Sequence, residues 1–254
     1  MDIIKKLTSE FSRQEFAQSK KAIYAEELDR YKRIARGYAE IENAIVVLSD
    51  MHASTSYMYY GSFSDILGLK HSDTEEDQIG SIWEEKILQL INPDDLYNKY
   101  LQELRFFHFM KHQPKGRRRH YYLMNILRMK DATGNYHAVC HRLFYIPEPY
   151  GNSLWLALCL YSPLVIDVSN NSMVVNSVTG EMQELETKND SNILSDREKQ
   201  VLRLIDKGLM SKHIAERLSI SINTVSRHRQ EILSKLQVKN SIEACRVAKD
   251  LGLI

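Results

Sequence analysis

The chain has 254 residues, of which 43% are hydrophobic and 26% are charged, and its formal net charge is +1. This is the composition of a globular protein with one large or two ordinary domains, and it excludes a disordered chain. The charge is uneven, because residues 191–254 hold 12 Lys and Arg against 7 Asp and Glu while the remainder holds 22 against 26, and a basic module on an acidic body suits DNA docking.

The first forty residues are predicted to be helical. They lack proline, and their apolar side chains fall roughly on one helical face: Phe11, Phe16, Ile23, Tyr24, Leu28, Tyr31 and Ile34. We therefore predict an N-terminal helical segment over residues 1–40. It either packs on the domain that follows or serves as an interaction helix.

The next region mixes strands and helices. Ile41–Asp50 is predicted as a strand and Phe63–Leu69 as a short helix. Asn92-Pro93-Asp94-Asp95 marks the start of a helix that runs to about His112, because proline fits the first helical turn and aspartate favours the positive end of the helix dipole. Three strands with glycine-containing turns are predicted next: His120–Lys130, Tyr136–Ile146 and Ser153–Leu164.

This order of strand, short helices, long helix and antiparallel three-stranded meander resembles the PAS family over residues 41–165. The local signature is Asn92–Asp95, which is similar to the His-Pro-Asp-Asp-like turn of that family. The resemblance implies an α+β domain with an antiparallel sheet that senses a signal or mediates dimerisation. The alternative is a domain of the same class that binds no ligand, since this fold supports many functions.

Residues 166–193 are predicted to connect this domain to the next one. Met173–Asn176 and the Thr179-Gly180 turn indicate a small hairpin. The polar stretch Thr187–Asn192 is predicted to be a flexible joint.

The last sixty residues contain the clearest local signals. Ser195 and Glu198 have the spacing of a capping box, and Gly208 is placed to end the helix that this box opens. Lys212–Leu218 is a second helix, and Ser221 stands at the N-cap of a third. The third helix is predicted to bury Ile222, Val225, Ile232, Leu233 and Leu236. Two helices joined by a three-residue turn, the second polar on its outer face, form a helix-turn-helix.

Landmarks at fixed spacing run through residues 194–254. They are Leu194-Ser195, Arg197-Glu198, Gly208-Leu209, Ile214-Ala215, Leu218, Ile220-Ser221, Thr224-Val225, His228, Ile232, Lys235-Leu236, Val238, Asn240, Glu243-Ala244 and Gly252-Leu253-Ile254. With them the chain resembles the LuxR-type (NarL/FixJ-like) DNA-binding family. The resemblance implies an all-α four-helix domain that binds operator DNA in the major groove. The family usually has a basic residue where this chain has Ser226, which shifts the expected base contact toward Arg227.

The resemblance and the helical spacing together supply candidate DNA contacts. Four side chains can donate to or accept from base edges: Asn223, Ser226, Arg227 and Gln230. Five more are placed to hold phosphates: Lys212, Thr224, His228, Arg229 and Lys235.

The last helix, at about Ser241–Leu251, resembles the dimerisation element of the family. Its candidate contact residues are Ile242, Cys245, Val247 and Ala248. A homodimer on DNA would contact two half-sites about one helical turn apart. The alternative is a helix that packs only on its own bundle.

Other clusters have plainer explanations. The basic run Lys115–His120 is predicted to be a solvated loop, with contact to DNA or an acidic partner as the alternative. The pairs His108/His112 and His137/His141 each lack a third ligand, so no metal site is expected. A group of aromatic residues is expected to pack in a core, or alternatively to line a small-molecule pocket: Tyr57, Tyr59, Tyr60, Trp83, Phe106, Phe107, Tyr121, Tyr122 and Trp155.

The remaining signals concern compartment and catalysis. Cys140, Cys159 and Cys245 show no paired spacing, which favours a reducing compartment. The N-terminus lacks an apolar signal core and Leu154–Ile166 is too short to span a membrane, so we expect a cytoplasmic protein without a membrane partner. Because phosphate-loop, nucleophile-elbow and zinc motifs are missing, we expect no catalytic residue, no cofactor and no enzyme.

These features together predict a one-component transcriptional regulator. A PAS-like domain senses a signal or mediates dimerisation, and it controls a helix-turn-helix that binds double-stranded DNA and acts on the transcription machinery. The alternative is a non-sensing scaffold that recruits a protein partner to DNA. A ligand retained on purification would favour the sensor, whereas a filled core would favour the scaffold.

Overall fold

The computed structural model describes residues 3–16, 21–69, 76–165, 172–184, 194–236, 238–250 and 253–254. The chain divides into two compact units, residues 1–184 and 185–254. The predicted joint Thr187–Asn192 lies outside the described residues. Among the helices in the described ranges, none is long and apolar enough to cross a bilayer.

The N-terminal unit combines helices with one antiparallel sheet. It begins with α1 (Ile3–Ser12) and α2 (Lys21–Glu42). The described strands are β1 (Ile45–Asp50), β2 (Thr55–Tyr60), β3 (Asp77–Ile79), β4 (Tyr121–Lys130), β5 (Tyr136–Pro147), β6 (Leu154–Pro163), β7 (Ser172–Asn176) and β8 (Met182–Gln183). The helices between β2 and β4 are α3 (Phe63–Ile66), α4 (Glu85–Leu88), α5 (Pro93–His112) and α6 (Lys115–Arg118).

The strand order of the sheet is β3-β2-β1-β6-β5-β4-β7-β8. Each neighbouring pair is antiparallel. The first strand therefore lies beside the last strand of the β4–β5–β6 meander, and this is the arrangement expected of a PAS-like sheet. The turn between β4 and β5 contains Gly134 at φ +95°, a conformation that glycine adopts without steric cost. The predicted hairpin is confirmed as β7–β8, which extends the sheet beyond β4.

Both faces of the sheet are covered. On one face, Ala35 and Ala39 of α2 pack against a cluster that includes Val46, Leu48 and Trp155. On the other face, the ring of Phe11 in α1 lies 5.0 Å from that of Phe107 in α5, and Phe107 in turn contacts Tyr145 of β5. Burial on both faces explains why β6 is almost continuously apolar.

The predicted start of α5 is confirmed. Asn92 is the N-cap, and its side-chain oxygen accepts a hydrogen bond from the backbone N–H of Asp94 at 3.1 Å. Pro93 occupies the first helical turn, where its missing N–H costs nothing. The carboxylate of Asp95 also accepts two hydrogen bonds from the Arg128 guanidinium, which ties the beginning of α5 to β4.

The predicted boundary between the N-terminal segment and the first strand is wrong by a few residues. α2 continues to Glu42, and β1 begins only at Ile45. Asn43 separates them with φ +52°, a left-handed conformation that ends helices and that asparagine tolerates well. Ile41 is 83% exposed because it lies on the outer face of the helix and not in the sheet. The two N-terminal helices pack on the sheet, which is the plainer of the two alternatives.

The prediction of a solvated loop at Lys115–His120 is also wrong in part. Lys115–Arg118 forms α6, and Arg118 is only 2% exposed. Its guanidinium donates hydrogen bonds to the backbone carbonyls of Lys111, Gln113 and Asn152. A long side chain inside a basic run therefore connects the end of α5 to the β5–β6 turn.

Five of the predicted aromatic side chains are divided between the two faces of the sheet. Tyr57, Tyr59 and Trp155 pack under α2 on one face of the sheet. Phe106 and Phe107 pack with Tyr145 on the opposite face. Core packing, the expected explanation, therefore accounts for these five residues.

Candidate nucleic-acid interface

The C-terminal unit is a bundle of short helices. The described helices are α7 (Asp196–Asp206), α8 (Ser211–Leu218), α9 (Ile222–Leu236) and α10 (Ser241–Asp250). The predicted capping box is confirmed at the start of α7. The backbone N–H of Ser195 donates to Glu198 Oε2 at 2.6 Å, and the backbone N–H of Glu198 donates to Ser195 Oγ at 3.3 Å. Gly208 follows α7 at φ +80°, as predicted for a left-handed cap.

The turn between α8 and α9 is tight and held at both ends. Ser219 has φ +53°, and the backbone N–H of Ile220 donates back to the carbonyl of Ala215 at 3.0 Å. Ser221 caps α9 as predicted, since its hydroxyl accepts a hydrogen bond from the backbone N–H of Thr224 at 3.0 Å. The direction in which α9 leaves the bundle is therefore set by local hydrogen bonds.

Arg197 also holds this turn, a role that the capping and spacing arguments missed. Its guanidinium donates to the backbone carbonyl of Leu218 at 2.6 Å and to Gln200 Oε1 at 2.9 Å. The contact fixes the last carbonyl of α8 to the first turn of α7. The only available signal was its position among the family landmarks, because a sequence-distant backbone acceptor leaves no local pattern.

The inner face of α9 forms part of the core of the unit. Val225, Ile232 and Leu236 are buried there, and the other members are Leu194, Val201, Leu202, Leu204, Ile214, Ala215, Ala244, Cys245, Val247, Ala248 and Leu253. Leu233 is partly buried against the same cluster. Ile222 was predicted to be buried but is 50% exposed, because the first turn of α9 extends beyond the packed core.

The outer face of α9 is polar and accessible. Asn223, Ser226, Arg227 and Gln230 are exposed, so the structure places the four predicted base-contacting residues on one surface. Arg227 Nε lies 3.0 Å from Glu231 Oε1, and the Arg227 side chain is 75% exposed. An exposed pair at this helical spacing stabilises a helix by about 0.3–0.5 kcal/mol. Arg227 can therefore exchange Glu231 for another acceptor at small cost.

The five residues predicted to contact phosphate differ in exposure and in their partners within the unit. Lys212 is exposed, and Thr224 lies half-buried at the capped start of α9. The Thr224 hydroxyl lies 2.9 Å from Ser221 Oγ, and the other three side chains also have partners inside the unit. Arg229 donates to Ser211 Oγ at 3.0 Å, His228 Nδ1 lies 3.4 Å from Glu231 Oε2, and Lys235 donates to Glu198 Oε2 at 2.7 Å. These side chains have structural roles in the bundle, and their contact with phosphate stays a prediction.

Lys235 of α9 and Glu198 of α7 form an ion pair whose carboxylate is buried. Glu198 is 1% exposed, and its Oε2 accepts hydrogen bonds from Ser195 and from Lys235. Burial opposes ionisation of Glu198, but the hydrogen bonds from Lys235 and Ser195 outweigh it and lower the pKa of Glu198 below its ordinary value. Ionised Glu198 therefore stabilises the folded unit.

We expect Glu198→Ala to lower the free energy of unfolding by about 1–2 kcal/mol at neutral pH, because the capping box and the ion pair are both lost. The pKa of Glu198 is depressed in the folded state, so its contribution is present above the ordinary pKa of 4.5 and is lost as the pH falls below it. Urea unfolding of the wild type and the variant at several pH values measures this difference in the free energy of unfolding. Glu216→Ala, at an exposed position in α8, is the control and should change stability by less than about 0.5 kcal/mol.

The four predicted dimerisation residues do not share one surface. Cys245, Val247 and Ala248 belong to the core of their own unit, whereas Ile242 is 85% exposed. The predicted set therefore needs correction: three side chains of α10 are already occupied by packing on α7 and α9, and Ile242 is the one that a partner could contact. Leu251, the predicted end of this helix, lies outside the described residues.

A packed bundle that presents a polar, capped helix after a three-residue turn defines a helix-turn-helix domain. The comparisons with known proteins give its family. Residues 192–248 match the sequence model described as bacterial regulatory proteins, luxR family. The C-terminal unit therefore carries a LuxR-family helix-turn-helix domain.

Relatives with similar sequences each match part of the chain. The transcriptional regulatory protein DesR of Bacillus subtilis (strain 168) is 48% identical over 63 residues, which are 25% of this chain and 32% of DesR. The oxygen regulatory protein NreC of Staphylococcus haemolyticus (strain JCSC1435) is 29% identical over 167 residues, 65% of this chain and 62% of NreC. The chain thus spans less than two thirds of either relative.

A solved structure of the Vibrio cholerae VqmA dimer in the absence of target DNA aligns with 87% of this chain and 88% of that chain. Its sequence identity is 18% and its TM-score is 0.30. A TM-score of this size carries no argument about a shared fold. The PAS-like arrangement of the N-terminal unit rests on the strand order instead.

Proposed function

We propose that the chain is a LuxR-type transcriptional regulator whose C-terminal unit binds operator DNA through α9. The observation that carries this proposal is the exposed polar face formed by Asn223, Ser226, Arg227 and Gln230 on a helix whose opposite face is buried. A helix of this kind enters the major groove, where arginine can bind guanine and asparagine or glutamine can bind adenine in a bidentate manner. Acting on DNA, the protein would work in the cytoplasm.

The basic charge of the C-terminal region supports the same target. Lys212, exposed on α8, and Thr224, at the capped start of α9, are candidate phosphate contacts near the polar face. Phosphate contacts position a protein on DNA, whereas base contacts give it sequence preference. Selection of binding sites from random double-stranded DNA with the full chain tests the proposal. Enrichment of a two-fold symmetric sequence is expected, and no binding to any duplex at low salt would contradict it.

We expect Arg227→Ala to weaken binding to the selected operator by about 1–3 kcal/mol and to relax the preference at one base position. The physical reason is that the exposed guanidinium supplies a bidentate contact that alanine cannot make. Titration of labelled operator and of a scrambled duplex measures the change. Arg203→Ala removes the same charge from an exposed position on α7, so equal losses for both variants would mean that Arg227 acts only through its charge.

The proposed role of the N-terminal unit is to control DNA binding by shifting a population of states in response to a signal or a partner. Its PAS-like sheet supports this role by analogy of fold. A homodimer on DNA, with Ile242 at the contact, and an interaction with the transcription machinery complete the proposal. Equal operator affinity of the full chain and of a 191–254 fragment under every signal tried would contradict control by the N-terminal unit.

One observation favours the second candidate, a non-sensing scaffold that recruits a protein partner to DNA. The cavity beneath the sheet, between α1, α4, α5 and strands β5 and β6, has a volume of about 30 Å³. Pockets for ordinary organic ligands have volumes of about 300–1,000 Å³. An organic signal would therefore need a more open state of this cavity or a different site, such as the pocket of about 450 Å³ lined by Phe109, Tyr121 and Met182. Native mass spectrometry of the purified protein distinguishes the two candidates.

A further inference from the structure

A polar cluster lies inside the N-terminal unit, at positions that the sheet pattern reserves for apolar residues. Asn125 of β4, His141 of β5 and Tyr161 of β6 are direct cross-strand neighbours, so their side chains share one face of the sheet. Cys159 occupies the same face one row away, opposite Leu143. All four polar side chains are buried. Since burying a polar group is costly, this row needs an explanation.

α5 presents charged residues to the same region. Lys99 and Glu103 lie one helical turn apart and are 3% and 4% exposed, and Lys99 Nζ is 2.7 Å from Glu103 Oε1. Glu84 is buried beside them and accepts a hydrogen bond from the Tyr161 hydroxyl at 2.9 Å. Two carboxylates and one ammonium group are thus enclosed together. If both carboxylates are ionised, the three groups leave one excess negative charge.

His141 has an unused nitrogen that faces this cluster. Its ring is completely buried, and Nε2 has no hydrogen-bond partner among the described residues. The same atom lies 3.9 Å from Glu103 Oε1. A buried nitrogen without a hydrogen-bond partner destabilises a fold, so an additional ligand at this point would relieve an existing cost.

Asn125 can set the tautomer of His141 that such a ligand requires. The Asn125 amide lies 3.1 Å from His141 Nδ1, and Asn125 Oδ1 has no hydrogen-bond partner among the described residues. The oxygen and nitrogen of an amide can exchange places by rotation. With Oδ1 toward the ring, Nδ1–H donates to it and Nε2 keeps a free lone pair, as in histidines that bind metals.

One donor atom each of Glu103, His141 and Cys159 lies within 4.8 Å of the other two. We propose that these three residues bind one transition-metal ion, Zn²⁺ by the nature of the donors, with water as the fourth ligand. Nitrogen, thiolate and carboxylate ligands at about 2.0–2.3 Å suit tetrahedral Zn²⁺, and shifts of about 1 Å would close the triangle. The cavity of about 30 Å³ is lined by Glu103 and Cys159, and this volume has room for the water.

The charges balance when the metal binds. Binding exchanges the thiol proton of Cys159 for the ion, and the proton leaves to solvent. The divalent ion and Lys99 then offset the charges of Glu84, Glu103 and the thiolate. Burial raises the pKa of both Glu103 and Cys159 in the absence of a metal, which means that without such a cation these two groups resist ionisation. The proposed metal site does not depend on the proposed DNA binding, so the two proposals can fail separately.

Cobalt provides a direct test on the full chain. The protein is treated with a chelator, titrated with Co²⁺, and followed by the thiolate-to-cobalt charge-transfer absorption in the near ultraviolet, while mass spectrometry of the metal gives the stoichiometry. We expect one equivalent of Co²⁺, a charge-transfer band, and displacement of cobalt by Zn²⁺. Folded wild-type protein that binds no stoichiometric cobalt, or binds it without the band, would overturn the proposal.

Variants assign the ligands. Cys159→Ser is expected to lose the band, and His141→Gln to lower cobalt affinity at least tenfold. Cys140→Ser is the matched control, because Cys140 precedes His141 in β5 and faces the opposite side of the sheet. Loss of the band in Cys140→Ser with retention in Cys159→Ser would assign the thiolate elsewhere and refute the site. If Cys159→Ser does not fold, the wild-type titration and Cys140→Ser still decide the outcome.

Discussion

Val225→Asp should unfold the C-terminal unit and abolish operator binding. Val225 is completely buried on the inner face of α9 and belongs to the core of the unit. An unpaired carboxylate at this position costs more than about 4 kcal/mol, which is a large share of the stability of a unit of this size. Hydrogen–deuterium exchange resolved along the chain measures the unfolding. The backbone amides should lose their protection throughout α7–α10.

Ile222→Asp is the matched control for this variant. Ile222 lies three residues earlier in the same helix but is half exposed at its first turn. An aspartate there meets solvent and the positive end of the helix dipole, so we expect the unit to stay folded within about 1 kcal/mol. Equal loss of protection in both variants would show that the burial pattern of α9 is different from the one described.

Arg118→Ala should lower the free energy of unfolding of the N-terminal unit by about 2–4 kcal/mol. The buried guanidinium donates to three backbone carbonyls, on Lys111, Gln113 and Asn152. Hydrogen bonds from charged donors contribute about 1.5–3 kcal/mol each, but these three share one guanidinium whose burial offsets part of the gain. Urea unfolding of the full chain, followed by tryptophan fluorescence of Trp83 and Trp155, gives the value.

Arg117→Ala separates this effect from the charge of the basic run. Arg117 is the preceding residue and is exposed, so its removal should change stability by less than about 0.5 kcal/mol. A loss of similar size for both variants would mean that the run stabilises the unit through its net charge and not through the hydrogen bonds of Arg118.

The C-terminal unit was the more predictable part because its signals are local. Ser195 with Glu198, Gly208, and Ser221 each act on backbone groups within a few residues, and the structure confirms all three. The exposure of Ile222 could not be predicted in the same way. Helical spacing gives the direction of a side chain, but it does not tell where along the helix the core ends.

Predictions that depend on partners distant in sequence were less successful. Arg118 is buried because three acceptors from two other segments surround it, and a basic run gives no sign of this. Cys245, Val247 and Ala248 have the composition of an interface, but α7 and α9 already cover them. The groups of the candidate metal site come from α5, β5 and β6, so no ligand spacing within one segment could indicate them.

The ends of the sheet have a consequence for how copies of this protein can associate. The outermost strands are β3, with three residues, and β8, with two. Very short border strands are poor templates for a neighbouring chain, because few backbone groups remain to pair with it. The ten-residue β4 would be a good template, but β7 occupies it. Self-association by strand addition is therefore discouraged, which favours assembly through the side-chain surfaces of helices and loops.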